Sequence, residues 1–496
     1  MRKIYRYRFL FLIVIAAFVL INTKAYSQSI HSLSLTEVVE MLSLDSPAAK
    51  IERLNFENEI LQFENYKKGF LPAVSLSLSP INLNRSIVKL QKADDGQYNY
   101  VEDYSSNSNT SMSLQQKIPF TGGTLRVNSS LNYMNEFSRS RHSFSSTPFA
   151  ISYSQQLFGS ARTMRMEKTI EYKKNEEKVK NYCVVLSGIQ QKVLNFFMEA
   201  FLATLEKELS LSNKLATDSL HNMAKVKYQN KRITESDFKQ IELQATNNDY
   251  MKENATKNHE EAIRSLITYL GLTEKSITIE TPEFNLPLKI DYEVVKYYID
   301  KNNPSALSRS IKQLEAKKSL FLAELSNKFN ADINLSYGTN QFAENLIDVY
   351  SSPSRQQSVS VGVSIPISLW GINRNNARIA KNSYKSSLID IEQVSDNFEN
   401  EIRQKVNNYN HNVNLWFIAE RSYQLAQEQY RLVVNEYAMG RSSAYELIAS
   451  QQEQSSSMQK YYTAVRNAWD SYFKLREMTL FDFEKETELI DIFLNN

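Results

Sequence analysis

The chain has five histidines (His31, His142, His221, His259 and His411) and one cysteine, Cys183, in 496 residues. Imidazole and thiolate are the common zinc ligands and partners in nucleophilic catalysis, but both chemistries need them clustered. Here the histidines are scattered. His259-Glu260-Glu261-Ala262-Ile263 lacks the second histidine that a zinc-hydrolase helix carries four residues on. No G-x-S-x-G, P-loop or G-x-G-x-x-G run is present. Cys183 lies among apolar residues, where a cysteine behaves as a small packed hydrophobe, and a lone cysteine makes no intrachain disulfide. These residues support no catalysis, no metal site and no cofactor.

The charged residues with informative spacing lie instead at two turns. Tyr228-Gln229-Asn230-Lys231-Arg232-Ile233-Thr234 is followed by Glu235-Ser236-Asp237, and Tyr437-Ala438-Met439-Gly440-Arg441-Ser442-Ser443 by Ala444-Tyr445-Glu446. Ser443 and Glu446 have the spacing of a capping box, and Thr234 and Asp237 approximate one, so each pair marks the start of a helix. Gly440 can take the positive φ that ends the preceding helix. In the first turn Lys231 occupies that position, with Asn230 beside it as the expected left-handed residue. Lys231, Arg232 and Arg441 are either partner contacts or solvated surface charges.

The elements that must present those turns are long helices. Gly (11) and Pro (10) are scarce for 496 residues, and residues 373–437 contain neither. Apolar positions there step by threes and fours: Val406, Tyr409, Val413, Trp416, Ala419, Tyr423, Ala426, Tyr430, Val433, Tyr437. The stretch 161–230 shows the same from Val179 through Tyr182, Leu186, Ile189, Val193 and Phe196 to Ala200. A period near 3.5 held over several heptads predicts coiled-coil packing. Each long helix is expected to turn and return, over 235–270 and 444–478, as a hairpin about 100 Å tall. Phe158-Gly159 and Trp370-Gly371 mark the pivots into the two long helices.

Before each pivot the period changes to two. Residues 73–79, 124–134, 149–157, 331–337 and 357–367 alternate apolar with small polar residues, and 111–118 does so more weakly. Six strands of about 8–11 residues with one apolar face suit a membrane barrel, although a soluble sandwich shows the same alternation. Residues 82–110 and 338–356, rich in Asn, Ser, Asp and Tyr, read as long outer loops, and Thr121-Gly122-Gly123 as a tight turn on the opposite side.

At the N-terminus, four basic residues precede the apolar run Phe9–Ile21, and Ala25-Tyr26-Ser27 offers a cleavage site, so 1–27 reads as a secretory signal peptide. It carries five of the 58 basic residues and none of the 55 acids, leaving the mature chain at a net charge of −2, which gives no reason to expect a nucleic-acid partner. The pattern Leu35-Thr36…Asp45-Ser46-Pro47…Phe70-Leu71-Pro72 restarts near 291 with Asn302-Asn303-Pro304 and Phe329-Asn330-Ala331. The chain therefore divides into a first unit, 28–272, a connector, 273–290, and a second unit, 291–496.

Six strands cannot close a barrel, and an open sheet leaves backbone groups unpaired in lipid. Pooling strands from three chains gives eighteen and a water-filled lumen. The expected fold is mostly α with membrane β: a homotrimeric tube, its pooled β-barrel in lipid continued by a coiled-coil α-barrel. The rival is a soluble exported coiled-coil scaffold with a sandwich head.

The duplicated opening, Phe70-Leu71-Pro72, Pro366-x-x-x-Trp370-Gly371-x-x-Arg374 and Tyr437-x-x-Gly440-x-Ser442 resemble the TolC-like outer-membrane efflux proteins along nearly the whole mature length. The resemblance implies a trimer in the outer membrane of a Gram-negative bacterium, with its tunnel in the periplasm. It also implies docking, through a periplasmic adaptor protein, to an inner-membrane pump or ABC transporter. Cargo would be small molecules or, alternatively, proteins in a type I secretion system. The tip residues Asn230, Lys231, Arg232, Ile233, Thr234, Met439, Gly440, Arg441, Ser442 and Ser443 would receive the adaptor. Glu446 matches an acid that rings the closed periplasmic mouth, with Asp237 its counterpart in the first turn, while Ala449 stands where a second ring acid would be. The family's usual four strands per chain leave four against six open here.

Overall fold

Gly159 and Gly371 both take left-handed φ, 84° and 82°, and each sits at the N-cap of one of the two longest helices. A residue with a side chain pays a steric penalty in that region, so the pivot from strand to helix falls on glycine. In this computed structural model residues 31–91, 98–273, 277–282, 286–326, 328, 330–365 and 370–495 are described. Residues 1–27, expected as a signal peptide, lie outside them, as do Phe329, Pro366 and part of the expected connector.

In chain order the elements are β1 (His31–Leu33), short helical turns, α1 (Pro47–Lys68), β2 (Ala73–Gln91), β3 (Tyr98–Lys117), β4 (Thr124–Glu136) and β5 (Arg141–Gln156). Then come α2 (Ser160–Gln229), α3 (Glu235–Leu270), β6 (Ile277–Ile279), α4 (Tyr292–Asn302) and α5 (Ser305–Leu325). The chain continues through β7 (Asn330–Ala343), β8 (Ser354–Ser364), α6 (Ile372–Ala438) and α7 (Ala444–Thr479). It ends in β9 (Phe481–Asp482), β10 (Thr487–Glu488) and α8 (Leu489–Asn495). The 70 residues of α2 span about 105 Å at ~1.5 Å per residue.

The fold is mostly α with one six-stranded antiparallel sheet, in the order β2-β3-β4-β5-β7-β8. Val74, Leu76 and Leu78 stand exposed on one face of β2, as do Val359, Val361 and Val363 on β8. The other face carries a ladder of small polar groups, with Ser75 and Ser113 hydroxyls 2.7 Å apart and Ser154 donating to Asn334 at 2.7 Å.

The strands run longer than the alternation predicts, from 11 to 20 residues. Residues 82–110, expected as a loop, are mostly strand: Asn82↔Asn107 through Gln91↔Tyr98 stay in register. Likewise β7 absorbs 338–343 and β8 starts at Ser354, leaving about ten residues between them. Ladder hydrogen bonds do not require an apolar face, so the sheet outlasts the alternation that announces it.

Three helical pairings supply the core. α2 packs on α3 and on α7, and α6 packs on α7, which brings Val193, Leu194, Phe197, Met198 and Phe201 of α2, Leu266 of α3, Val406, Tyr409 and Val413 of α6, and Val465, Tyr472 and Leu475 of α7 into one buried cluster. Each such fully buried side chain contributes roughly 1.5–3 kcal/mol. A smaller cluster packs Cys183, Tyr182 and Leu186 against Leu480, Leu489 and Phe493 of the C-terminal segment. Cys183 is fully buried, and desolvation pushes its thiol up to about 11, which makes it unreactive at neutral pH. Among the described residues no helix is long and apolar enough to cross a membrane, and no group of three His, Cys, Asp or Glu could hold a metal.

Candidate functional site

Both hairpin tips are built by the same local bonding. At the end of α2 the Lys231 N–H donates to the Tyr228 carbonyl (2.9 Å) and the Arg232 N–H to that of Lys227 (2.8 Å). At the end of α6 the Gly440 N–H donates to Tyr437 (3.0 Å) and Arg441 to Glu436 (2.8 Å). These nested bonds are the Schellman helix end, which needs a left-handed residue one place past the C-cap. That residue is Lys231 (φ 57°) in the first tip and Gly440 (φ 73°) in the second. Asn230, expected to be left-handed, is the C-cap itself at φ −85°. The motif assigns the conformation by position, and at that position stands a lysine.

A left-handed lysine costs roughly 1–2 kcal/mol, and glycine there removes the strain while adding unfolded-state entropy. Lys231→Gly is therefore expected to stabilise the first tip by about 0.5–1 kcal/mol, read as a raised melting temperature. No rise would mean that the Lys231 side chain makes a stabilising contact of similar size.

Both returning helices start with complete capping boxes. The Asp237 N–H donates to Thr234 Oγ1 (3.1 Å), while Asp237 Oδ2 accepts from the Thr234 N–H (3.2 Å) and hydroxyl (2.7 Å). In the second tip the Glu446 N–H donates to Ser443 Oγ (3.2 Å). Glu446 Oε2 accepts from the Ser442 hydroxyl (2.6 Å) and the Ser443 N–H (2.9 Å). Those bonds, the Ser442 hydroxyl first, hold the Glu446 carboxyl below the ordinary glutamate range. Glu446 is exposed and Asp237 half-buried, so a capping role leaves the Glu446 carboxylate accessible. Ala449, on the same helix, is also exposed.

The sequence alone missed how the two tips join. Leu220, Ala224 and Ile241 form a buried cluster, with Ile233, Phe238, Tyr437, Ala444 and Leu447 packed on it. Tyr228 stacks on Phe238 (5.1 Å between centroids, 6° between planes), and Lys227 Nζ lies 5.1 Å from the Tyr437 ring centre. Tyr228 and Tyr437 hold equivalent places in the two Schellman ends, which is the one signal that pairs them. Burial, and then the Asp237 charge, raise the Tyr437 phenol, so it stays protonated. Lys231, Arg232, Met439, Gly440 and Arg441 are exposed around this joint.

At the opposite end of the helices, Trp370 is 92 % exposed with φ 48°, and Phe158 is 41 % exposed. Exposed aromatics at a strand-to-helix junction suit a membrane–water interface.

With this geometry in place, residues 322–479 match the family model described as "Outer membrane efflux protein". That segment is similar to the outer membrane efflux proteins. No curated protein sequence matches the chain. Among solved structures, the Campylobacter jejuni CmeC outer membrane channel superposes with a TM-score of 0.64 at 13% identity, over 90% of this chain and 85% of that one. The outer membrane protein VceC from Vibrio cholerae gives 0.62 at 11% identity, over 90% and 95%. The open state of the Neisseria gonorrhoeae MtrE outer membrane channel gives 0.56 at 13% identity, over 92% and 93%. The matched segment thus sits in a chain with the fold of the outer-membrane channel-tunnels along nearly its whole length. The matched segment contains β7, β8, α6 and α7, so it spans the second tip but not the first.

Proposed function

We propose that the chain is the outer-membrane exit duct of a tripartite efflux system, with small molecules as its cargo. One observation carries this reading. A six-stranded sheet with one apolar face, whose two edges have no partner strand among the described residues, runs directly into helical hairpins about 100 Å tall. In lipid those edges must be paired, and pairing β8 of one chain with β2 of the next closes an eighteen-stranded barrel from three copies. The duplicated units, 28–272 and 291–496 with 273–290 between them, each give one strand group and one hairpin to the tube. Passage is passive, and the energy comes from an inner-membrane pump or ABC transporter engaged through a periplasmic adaptor at the tips.

The test is the polypeptide mass of the purified mature protein by light scattering, with and without detergent. A three-chain species that needs detergent supports the duct; a monodisperse detergent-free protein of another stoichiometry removes it.

In this reading three copies of Glu446 surround the closed mouth, where clustered carboxylates favour cations and repel anions. Glu446→Gln is expected to lower cation selectivity and relieve divalent block in a planar bilayer. Because its bonding lowers the Glu446 pKa, block by divalent cations should persist as pH falls to the ordinary glutamate range and disappear only below it. The capping contribution follows the same sign: present above the ordinary range and lost as pH falls through the lowered value. Unchanged selectivity and block in Glu446→Gln would take this residue out of the gate.

A further inference from the structure

Pro148 stands inside β5, a central strand of the sheet, where a residue without an N–H cannot donate to the ladder. The register shifts on both sides of it. Asn128 of β4 pairs with Ala150 and Ser130 with Thr147, so Ser129 alone faces Pro148 and Phe149. On the other side Ser146 pairs with Gln341 of β7 and Phe149 with Thr339, so Asn340 alone faces Thr147 and Pro148. The extra residue bows β5 and re-aims the side chains beside it. Gly338 adjoins the bow: a Cβ there would meet the Phe149 carbonyl oxygen at 2.7 Å, so only glycine lets β7 close on the bowed strand.

At the bow the polar face of the sheet opens into a recess of about 580 Å³, spanning β4, β5, β7 and the first residue of β8. That volume falls within the roughly 300–1,000 Å³ of small-molecule sites. Ser130, Asn132, Ser145, Thr147, Asn340 and Ser354 line it, and none of its lining residues is charged. A charged ligand would find no counter-charge there. Amides and hydroxyls between them both donate and accept, as the hydroxyls of a sugar do. Asn132 Oδ1 has no hydrogen-bond partner among the described residues, and the Asn340 amide makes only a long bond to Gln356 (3.4 Å). The wall therefore keeps hydrogen-bonding capacity for a ligand.

One residue breaks the polar pattern. Phe342 pairs with Ser145, which pairs with Asn132, so the register puts its ring on the polar face. Its neighbour Ala343 pairs instead with Phe144, which packs on Tyr133 on the apolar face. Phe342 is 66 % exposed and lines the recess. An aromatic ring presents a negative face, which suits the C–H side of a pyranose, while the hydroxyls at the pyranose rim reach the amides alongside.

We propose that the recess is a subsite for uncharged, polyhydroxylated cargo: a saccharide unit that stacks on Phe342 and hydrogen-bonds to Asn132 and Asn340. The proposal rests on the duct reading above, which turns the polar face to the lumen and sets three such recesses around the path of export.

The test uses the full-length assembly in lauryldimethylamine oxide, a detergent without sugar. Saturation-transfer NMR reads binding of maltohexaose, of hexaglycine and of a polyethylene glycol of similar mass. Maltohexaose is expected to receive transfer, strongest at its ring C–H protons, and the other two to receive little. Phe342→Ala should weaken maltohexaose binding about tenfold, and Asn132→Ala or Asn340→Ala severalfold. Ser360→Ala, on the polar face of β8 but outside the recess, should leave it unchanged. Phe342→Tyr keeps the ring and should keep the binding, so the proposal stays testable if Phe342→Ala does not assemble. No transfer to maltohexaose, equal transfer to hexaglycine or polyethylene glycol, undiminished binding in Phe342→Ala, or lost binding in Phe342→Tyr would each overturn the proposal. Failure of the duct reading would show separately, as a protein that needs no detergent, whatever the recess binds.

Discussion

Asp482→Ala is expected to cost about 3–5 kcal/mol, because it strands a buried arginine. Arg476 and Asp482 side chains are 6 % and 5 % exposed, and Arg476 Nε lies 3.3 Å from Asp482 Oδ2. Asp482 Oδ1 also accepts from the Tyr472 hydroxyl (2.6 Å) and from the N–H groups of Glu484 (3.1 Å) and Lys485 (3.2 Å). Burial first, and then the Asp482 charge, push the Tyr472 phenol up, so it remains a donor throughout the working pH range. One carboxylate therefore fastens the C-terminal segment to α7, while Phe481 stacks on Tyr298 of α4 at 3.8 Å. Thermal unfolding of the detergent-purified protein measures the loss, and faster hydrogen exchange in 480–495 localises it. Replacing both partners with apolar residues, Arg476→Met with Asp482→Leu, should recover only the part owed to the stranded charge, because the Tyr472 hydroxyl and the Glu484 and Lys485 N–H groups still lose their acceptor. A single variant that melts like wild type would show that the pair carries no weight.

How far the sequence announces this structure depends on what writes a periodic signal. The helices are legible because buried positions such as Val406, Tyr409 and Val413 recur at a helical interval with no glycine or proline between them. The sheet is legible only where one face meets an apolar medium. Val74, Leu76 and Leu78 declare β2, but Asn82–Gln91 lies where both faces are polar or mixed, so its alternation fades while its pairing continues. The bulge at Ser79/Asn82 also switches the parity, so a reader following even positions loses the strand. At the tips, caps are legible because a side chain reaching its own backbone fixes the spacing. The left-handed Lys231 is not, since nothing in a lysine advertises positive φ. The Lys227–Tyr437 contact is illegible for another reason: two residues 210 positions apart meet only once both hairpins are built.

Gly122→Ala should damage the fold far more than Gly371→Ala, although both glycines have positive φ (75° and 82°). At Gly371 an added Cβ meets nothing within 4 Å, so the cost is the conformational strain alone, roughly 1–2 kcal/mol. At Gly122 the same Cβ would lie 2.9 Å from the Ser160 carbonyl carbon and 3.0 Å from its oxygen, and backbone cannot swing aside as a side-chain tip can. Overpacking adds about 1–3 kcal/mol, for a total of roughly 2–5 kcal/mol. The place matters as much as the size. Ser160 is the first residue of α2, and its hydroxyl donates to the Thr121 carbonyl (2.9 Å), which also accepts from Gln155 Nε2 (2.9 Å). Tyr153 donates to Thr121 Oγ1 at 3.2 Å from the adjoining strand. The β3–β4 turn is thereby clamped to the root of the long helix, and pushing it off would loosen the sheet where it joins the tube. Gly159→Ala should fall between the two, because its Cβ would meet Leu325 Cδ2, the movable end of a side chain. Melting temperatures of the three variants in detergent should fall in the order Gly371→Ala least, then Gly159→Ala, then Gly122→Ala. Equal losses at Gly122 and Gly371 would mean that the turn is not seated on Ser160 and that strain alone sets the cost.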